Sequence, residues 1–132
     1  MFVKEIHEDD WQGILSYDTT YPCEKIEQCL DAVKRLNGDN KTVVVLSRDD
    51  ENFLMIGGGN KNLYICNASL DGAMYYLTDP WHEGGEIALV AGGQEGSYSK
   101  KLGIKLENVL KATELFVKES ELDNDLNWEL QD

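Results

Sequence analysis

Residues 43–77 read VVVLSRDDENFLMIGGGNKNLYICNASLDGAMYYL, and the fold follows from how this stretch is punctuated. Apolar, β-branched and aromatic runs occupy residues 43–46, 53–56, 63–67 and 73–77. Between them lie Asp49-Asp50-Glu51-Asn52, the stretch from Gly57 to Asn60, and Asp71-Gly72, all of them turn chemistry. Asp-Gly readily supplies the positive φ angles of a two-residue hairpin turn. Runs this short, with no helical segment between them, pair as an antiparallel meander.

Working outward, residues 22–36 carry Ile26, Leu30, Val33 and Leu36 at helical spacing, with Cys29 beside the stripe. Pro22 suits a first helical turn, with Thr20 or Tyr21 as the cap, and Asn37-Gly38 stops the helix. Glu24 and Glu27 near the start and Lys34 and Arg35 near the end suit the helix dipole. A second helix is expected over residues 106–119, where Leu106, Val109, Leu110, Thr113, Phe116 and Val117 form one stripe. Residues 87–91 read as a strand broken by Gly92-Gly93, and residues 97–101 as a short edge element. Residues 2–6 alternate as a strand does, and residues 7–20 show no clear period. The expectation is a single domain over residues 1–132 of α+β class: an antiparallel β-sheet meander with two amphipathic helices packed on one face. The other face is then solvated or reserved for a partner.

The charge balance narrows function. The 132 residues carry 12 basic and 25 acidic side chains, a net charge of −13. A phosphate-neutralising nucleic-acid binder needs the opposite sign, and an anionic membrane surface repels this chain. No apolar run approaches the ~20 residues of a membrane-spanning helix. The N-terminal residues lack the apolar core of a secretory signal, and three cysteines make no disulfide framework; a reducing cytoplasm is the expected compartment. A surface this acidic suits a basic protein, although solubility alone also favours it.

Catalytic and metal-binding patterns are weak. His7 and His82 are the only histidines, and nothing local couples either to Cys23 or Cys66 as a nucleophile pair. Cys23 and Cys29, six apart on the expected helix, point in roughly opposite directions and make no zinc half-site. Gly57-Gly58-Gly59 lacks the Lys-Ser/Thr of a phosphate loop, and Asp49-Asp50-Glu51 lacks the spaced ligands of a calcium loop. No enzymatic activity, metal or cofactor is expected.

One pattern remains. From Asn62 to Ser99 there is no lysine or arginine, while acids and aromatics are interleaved. Aromatics supply buried anchors and carboxylates select cations, so this segment has the composition of an interface for a basic protein. The candidate partner-binding residues are Asp71, Tyr75, Asp79, Trp81, His82, Glu83, Glu86 and Glu95. Trp81, beside Pro80 in a polar loop, either anchors a partner or folds back as a plug for the sheet end.

The order of elements adds a resemblance. Residues 42–46, the hairpin ending in Tyr75-Tyr76, Gly92-Gly93, the helix ending in Phe116-Val117 and the tail Leu126-Asn127-Trp128-Glu129-Leu130 carry it. Together they resemble family one of the immunity proteins of bacterial polymorphic toxin systems, including members that act against nucleic-acid deaminase toxins. The resemblance implies a cytoplasmic antitoxin, without activity of its own, that binds a cognate toxin C-terminal domain and blocks its active site. It implies structural roles for Gly92, Gly93, Phe116 and Trp128, with Trp128 clamping the sheet against the second helix. Neither a nucleic acid nor a membrane is then a direct partner. The alternative is an acidic adaptor or regulatory module with no toxin partner.

Overall fold

The meander forms where its turns place it. A computed structural model of the chain describes residues 1–81 and 84–131. Strands β1 (Glu5–Glu8), β2 (Trp11–Gln12), β3 (Leu15–Ser16) and β4 (Thr19–Pro22) precede helix α1 (Ile26–Lys34). The meander follows as β5 (Val43–Asp49), β6 (Asn52–Gly58), β7 (Tyr64–Leu70) and β8 (Ala73–Thr78). A hairpin of β9 (Glu86–Ala91) and β10 (Gln94–Ser99) leads through the 3-10 turn Lys100–Leu102 into α2 (Leu106–Glu119), and β11 (Asn127–Leu130) ends the chain's regular structure. Among the described residues, seven strands form one antiparallel sheet in the order β11-β8-β7-β6-β5-β1-β4. The class is α+β, with both helices on one face.

That face holds the core. Alternate residues Ile6, Val44, Leu46, Leu54, Ile56, Cys66, Ala68 and Leu77 point under the helices and are buried. Cys29, Ala32, Val33 and Leu36 meet them from the first helical segment; Val109, Ala112, Phe116 and Val117 meet them from α2. Phe2 packs edge-on against Phe116 with ring centroids 5.6 Å apart, and its N–H donates to the Val117 carbonyl at 2.9 Å.

Three local expectations are corrected. Pro22 does not open a helix: it ends β4, paired with Glu5, and the Cys23 N–H continues the ladder to the Lys4 carbonyl at 2.8 Å. The chain turns helical only after an extended Lys25, so neither Thr20 nor Tyr21 caps α1. The Gln28 Oε1 instead accepts from the N–H groups of Glu24 and Lys25, at 2.6 and 3.0 Å. Residues 94–99 form the full partner of β9 rather than a separate edge element. The tail adds a strand, β11, at the sheet edge, with Trp128 opposite Leu77.

The second face is only partly covered. The β9–β10 hairpin lies against it at the Gly57 end, where a Cβ on Gly57 would stand 2.6 Å from the Ala91 Cβ. Asn60 holds the hairpin from both sides, its Nδ2 donating to the Ala88 carbonyl at 3.1 Å and its Oδ1 accepting from the Val90 N–H at 3.0 Å. Beyond the hairpin, two cross-strand rows stay partly exposed, apart from the buried Ser69. One runs His7, Val45, Met55, Asn67, Tyr76, Glu129; the other runs Glu5, Ser47, Phe53, Ser69, Met74.

Candidate partner interface

The sequence-derived candidates do not meet at one place. Asp71 sits in the β7–β8 turn with φ +50°, and Asp79 follows the far end of β8. At the rise of an extended chain the two are separated by about 25 Å. Asp71 instead joins the β5–β6 turn: its N–H donates to the Asn52 Oδ1 at 3.0 Å, and the Gly72 N–H to the Glu51 carbonyl at 3.1 Å. Asp49, Asp50, Glu51 and Asp71 thus form one acidic end of the sheet. The Asn52 amide group and the Glu51 and Asn52 N–H groups hold the Asp49 carboxyl below the usual range, so it stays ionised.

At the other end, the Asp79 N–H donates to the Lys101 carbonyl at 2.6 Å, and the Trp81 N–H donates to the Asp79 Oδ1 at 3.0 Å. These bonds hold the start of the loop while leaving Trp81 89% exposed, so its ring does not plug the sheet end. Trp81 borders a hollow of about 330 Å³ whose charged lining mixes Lys105 and Lys111 with Asp79, Glu107 and Asp125. His82 and Glu83 lie outside the described residues. Glu86 and Glu95 are exposed near opposite ends of the β9–β10 hairpin, and Glu86 accepts a hydrogen bond from the Ser97 hydroxyl.

Strand alternation separates the tyrosines. Tyr75, opposite Ala68, lies on the helix side, whereas Tyr76, opposite Asn67 and Glu129, lies on the open side. Tyr76 and Tyr98 border a small hollow of about 260 Å³ with Ile65, Asn67 and Leu102.

One uncovered apolar area was not singled out by the sequence. A groove of about 520 Å³ runs over β1, β5 and β6 on the open face. Val45, Phe53 and Met55 floor it, and Glu5, Asp49 and Asp50 rim it beside Lys4 and Arg48. Arg48 is committed elsewhere: its Nη1 donates to the Phe2 carbonyl at 3.0 Å and its guanidinium stands 5.2 Å from the Phe2 ring centroid. The sequence signal was that residues 43–46 and 53–56 are apolar throughout, so both faces of β5 and β6 carry apolar side chains, without saying which face the helices take.

Two buried carboxylates tie neighbouring segments to the sheet, Glu8 doing so on the helix side. Asp9 accepts from the N–H groups of Thr42 and Val43 at 2.7 and 3.0 Å, from the Trp11 indole at 2.9 Å and from the Thr42 hydroxyl. Glu8 accepts from the Nε and Nη2 of Arg35, at 2.9 and 2.8 Å, and from the Tyr21 hydroxyl at 2.5 Å. Burial alone would raise the Glu8 pKa, but the hydrogen bonds and positive charge of Arg35, with the Tyr21 bond, hold it below its ordinary value. Burial, and then the Glu8 carboxylate itself, push Tyr21 up to about 12.

The structural-motif residues occupy defined positions. Gly92 and Gly93 make the β9–β10 turn with φ +63° and +79°. Phe116 is in the centre of the core, and Trp128 packs on its edge while its Nε1 donates to the Asp123 carbonyl at 3.2 Å.

Of the possible cysteine–histidine nucleophile pairs, Cys66 with His82 falls outside the described residues, and Cys66 with His7 has its two members on opposite faces of the sheet. Cys66 lies under the helices, where burial pushes its thiol up, and His7 bonds to Thr20 and Asp18 on the other side. No group of three or more potential metal ligands occurs among the described residues. No helix among them is long and apolar enough to cross a membrane. In comparisons with known proteins, the chain matches no family model and no curated protein.

Proposed function

We propose that this protein is an immunity protein: a cytoplasmic antitoxin that binds a basic toxin domain and blocks its active site one to one. The observation that carries the reading is the uncovered apolar groove of Val45, Phe53 and Met55, rimmed by Glu5, Asp49 and Asp50 on a chain of net charge −13. A toxin acting on DNA or RNA needs cations around its cleft to hold phosphates. An acidic rim competes for those cations, while a central apolar patch supplies the contact area that excludes water. Long-range attraction between the opposite charges speeds capture, which suits a protein that must intercept its target before damage occurs. The likeness of the 126–130 tail and of the element order to immunity proteins supports the same reading.

Within this reading the sheet face replaces the Trp81 loop as the centre of the interface. Trp81 is exposed, but the hollow beside it presents mainly polar surface, whereas Val45, Phe53 and Met55 give the groove an apolar floor.

The test is co-expression with a toxin-like domain encoded beside this chain, followed by pull-down and a growth assay. A one-to-one complex together with rescue of growth supports immunity. A complex without rescue favours the adaptor reading, and absence of both removes the antitoxin assignment.

A further inference from the structure

We propose that Cys23 and Cys29 form a dithiol that closes to a disulfide when hydrogen peroxide reaches Cys23. The expectation that these residues point apart fails because Cys23 is not on the helix: it extends the β4 ladder, three residues before α1 begins. Its Sγ stands 3.3 Å from that of Cys29. Each sulfur is carried by a separately anchored element. The Cys23 N–H is bonded to the Lys4 carbonyl, and Cys29 lies in the middle of α1 with its side chain in the core. A disulfide bond is about 2.05 Å long, so the sulfurs need to approach by about 1.2 Å, a small side-chain adjustment.

Exposure divides the roles. Cys23 is partly exposed and meets the oxidant, whereas Cys29 is fully buried behind it. The Cys23 thiolate attacks one peroxide oxygen; the O–O bond breaks, leaving a sulfenic acid on Cys23 and releasing hydroxide, which takes up a proton. Burial and the Cys23 contact push the Cys29 thiol up, so its proton stays on sulfur until the second step. The Cys29 sulfur then attacks the Cys23 sulfur, the S–O bond breaks, and the departing hydroxide leaves with the Cys29 proton as water. Two thiols are oxidised to one disulfide and one peroxide is reduced to two waters.

The bond would tie β4, the outer strand of the sheet, to α1 through a closed loop of residues 23–29. Closing such a loop restricts the unfolded chain, and the melting temperature should rise by about 5 °C or more. Cys66, buried on the sheet beneath the helices, serves as an internal control.

The experiment oxidises the reduced full chain with hydrogen peroxide, alkylates remaining thiols under denaturing conditions and digests with trypsin. Cleavage after Lys25 separates the two cysteines, so peptides 5–25 and 26–34 stay joined only through a disulfide. The expected result is that joined pair, an intact mass lower by two hydrogens, an alkylated Cys66 and a higher melting temperature. Cys66→Ser should leave the cross-link intact. Cys23→Ser, at a partly exposed position, should keep the fold and abolish the cross-link. Three alkylated thiols after peroxide, Cys23 driven to sulfinic acid beside an alkylated Cys29, or a cross-link through Cys66 would each overturn the proposal.

Discussion

Trp11 closes over Gly93 so tightly that a Cβ on the glycine would stand 2.1 Å from the indole Cζ2. The same indole donates to Asp9, and the Gly93 N–H donates to the Thr42 hydroxyl at 2.9 Å. The N-terminal segment, the start of β5 and the β9–β10 turn are therefore one unit, and it borders the open face.

The two turn glycines should behave differently. Gly93→Ala meets both a positive φ and the Trp11 ring, and should cost about 3 kcal/mol as Trp11 is displaced. Gly92→Ala meets the backbone penalty alone, with nothing within 4 Å, and should cost about 1 kcal/mol. Urea denaturation of both variants measures the difference; equal losses would refute the Trp11 contact.

Glu8 makes stability sensitive to acid. Its carboxyl is held below its ordinary value of 4.5, so the unfolded chain binds that proton more readily than the folded one. The contribution is complete above about pH 5 and is lost as pH falls through the lower folded value. Glu8→Gln should cost about 2 kcal/mol at pH 7, discounted because the Arg35 side chain is 46% exposed. The gap between wild type and variant should shrink steadily below pH 4.5 in denaturation series; a gap independent of pH would contradict the assignment.

Two tryptophans should separate by stability. Trp128→Ala removes a ring packed on the core and should cost about 2–3 kcal/mol. Trp81→Ala removes an exposed ring and should change stability by no more than about 0.5 kcal/mol. Thermal unfolding of the two variants decides; a large loss from Trp81→Ala would place that ring in contact with the fold.

The proposed interface has a direct test at its floor. Met55→Lys places a cation in the centre of the groove and should weaken binding of a basic partner by about 2 kcal/mol or more. Its melting temperature should change little, because Met55 is already partly exposed. Titration calorimetry with the partner reads the effect, and unchanged affinity would move the interface off this face.

Steering by charge should be visible in rates. Raising salt should slow association strongly while leaving dissociation nearly unchanged. Stopped-flow measurements over an ionic-strength series test this; a salt-independent association rate would remove electrostatic capture from the mechanism.

Helix α2 was legible because its apolar stripe, from Leu106 to Val117, is contained within one segment. The start of α1 was not, because Pro22 belongs to a strand whose partner, Glu5, lies far back in the chain. The β11 strand escaped for the same reason: four residues gain their meaning only by pairing with β8. Of the candidate site, the acids and exposed Trp81 could be named in advance, but their grouping could not. Asp71 was set with Trp81 by proximity in sequence, and an intervening strand places them at opposite ends of the sheet.

By itself, the sequence determined the α+β class, the hairpin at Asp71-Gly72, the extent of α2 and the acidic character of the surface. These depend on local periodicity, turn chemistry and composition, all of which act over a few residues or sum over the chain. Tertiary structure alone decided which face of each strand the helices cover. It alone left Val45, Phe53 and Met55 uncovered, and it alone brought Cys23 against Cys29 and Trp11 against Gly93. A strand's alternation gives two equivalent faces, and only packing against segments distant in sequence makes them different.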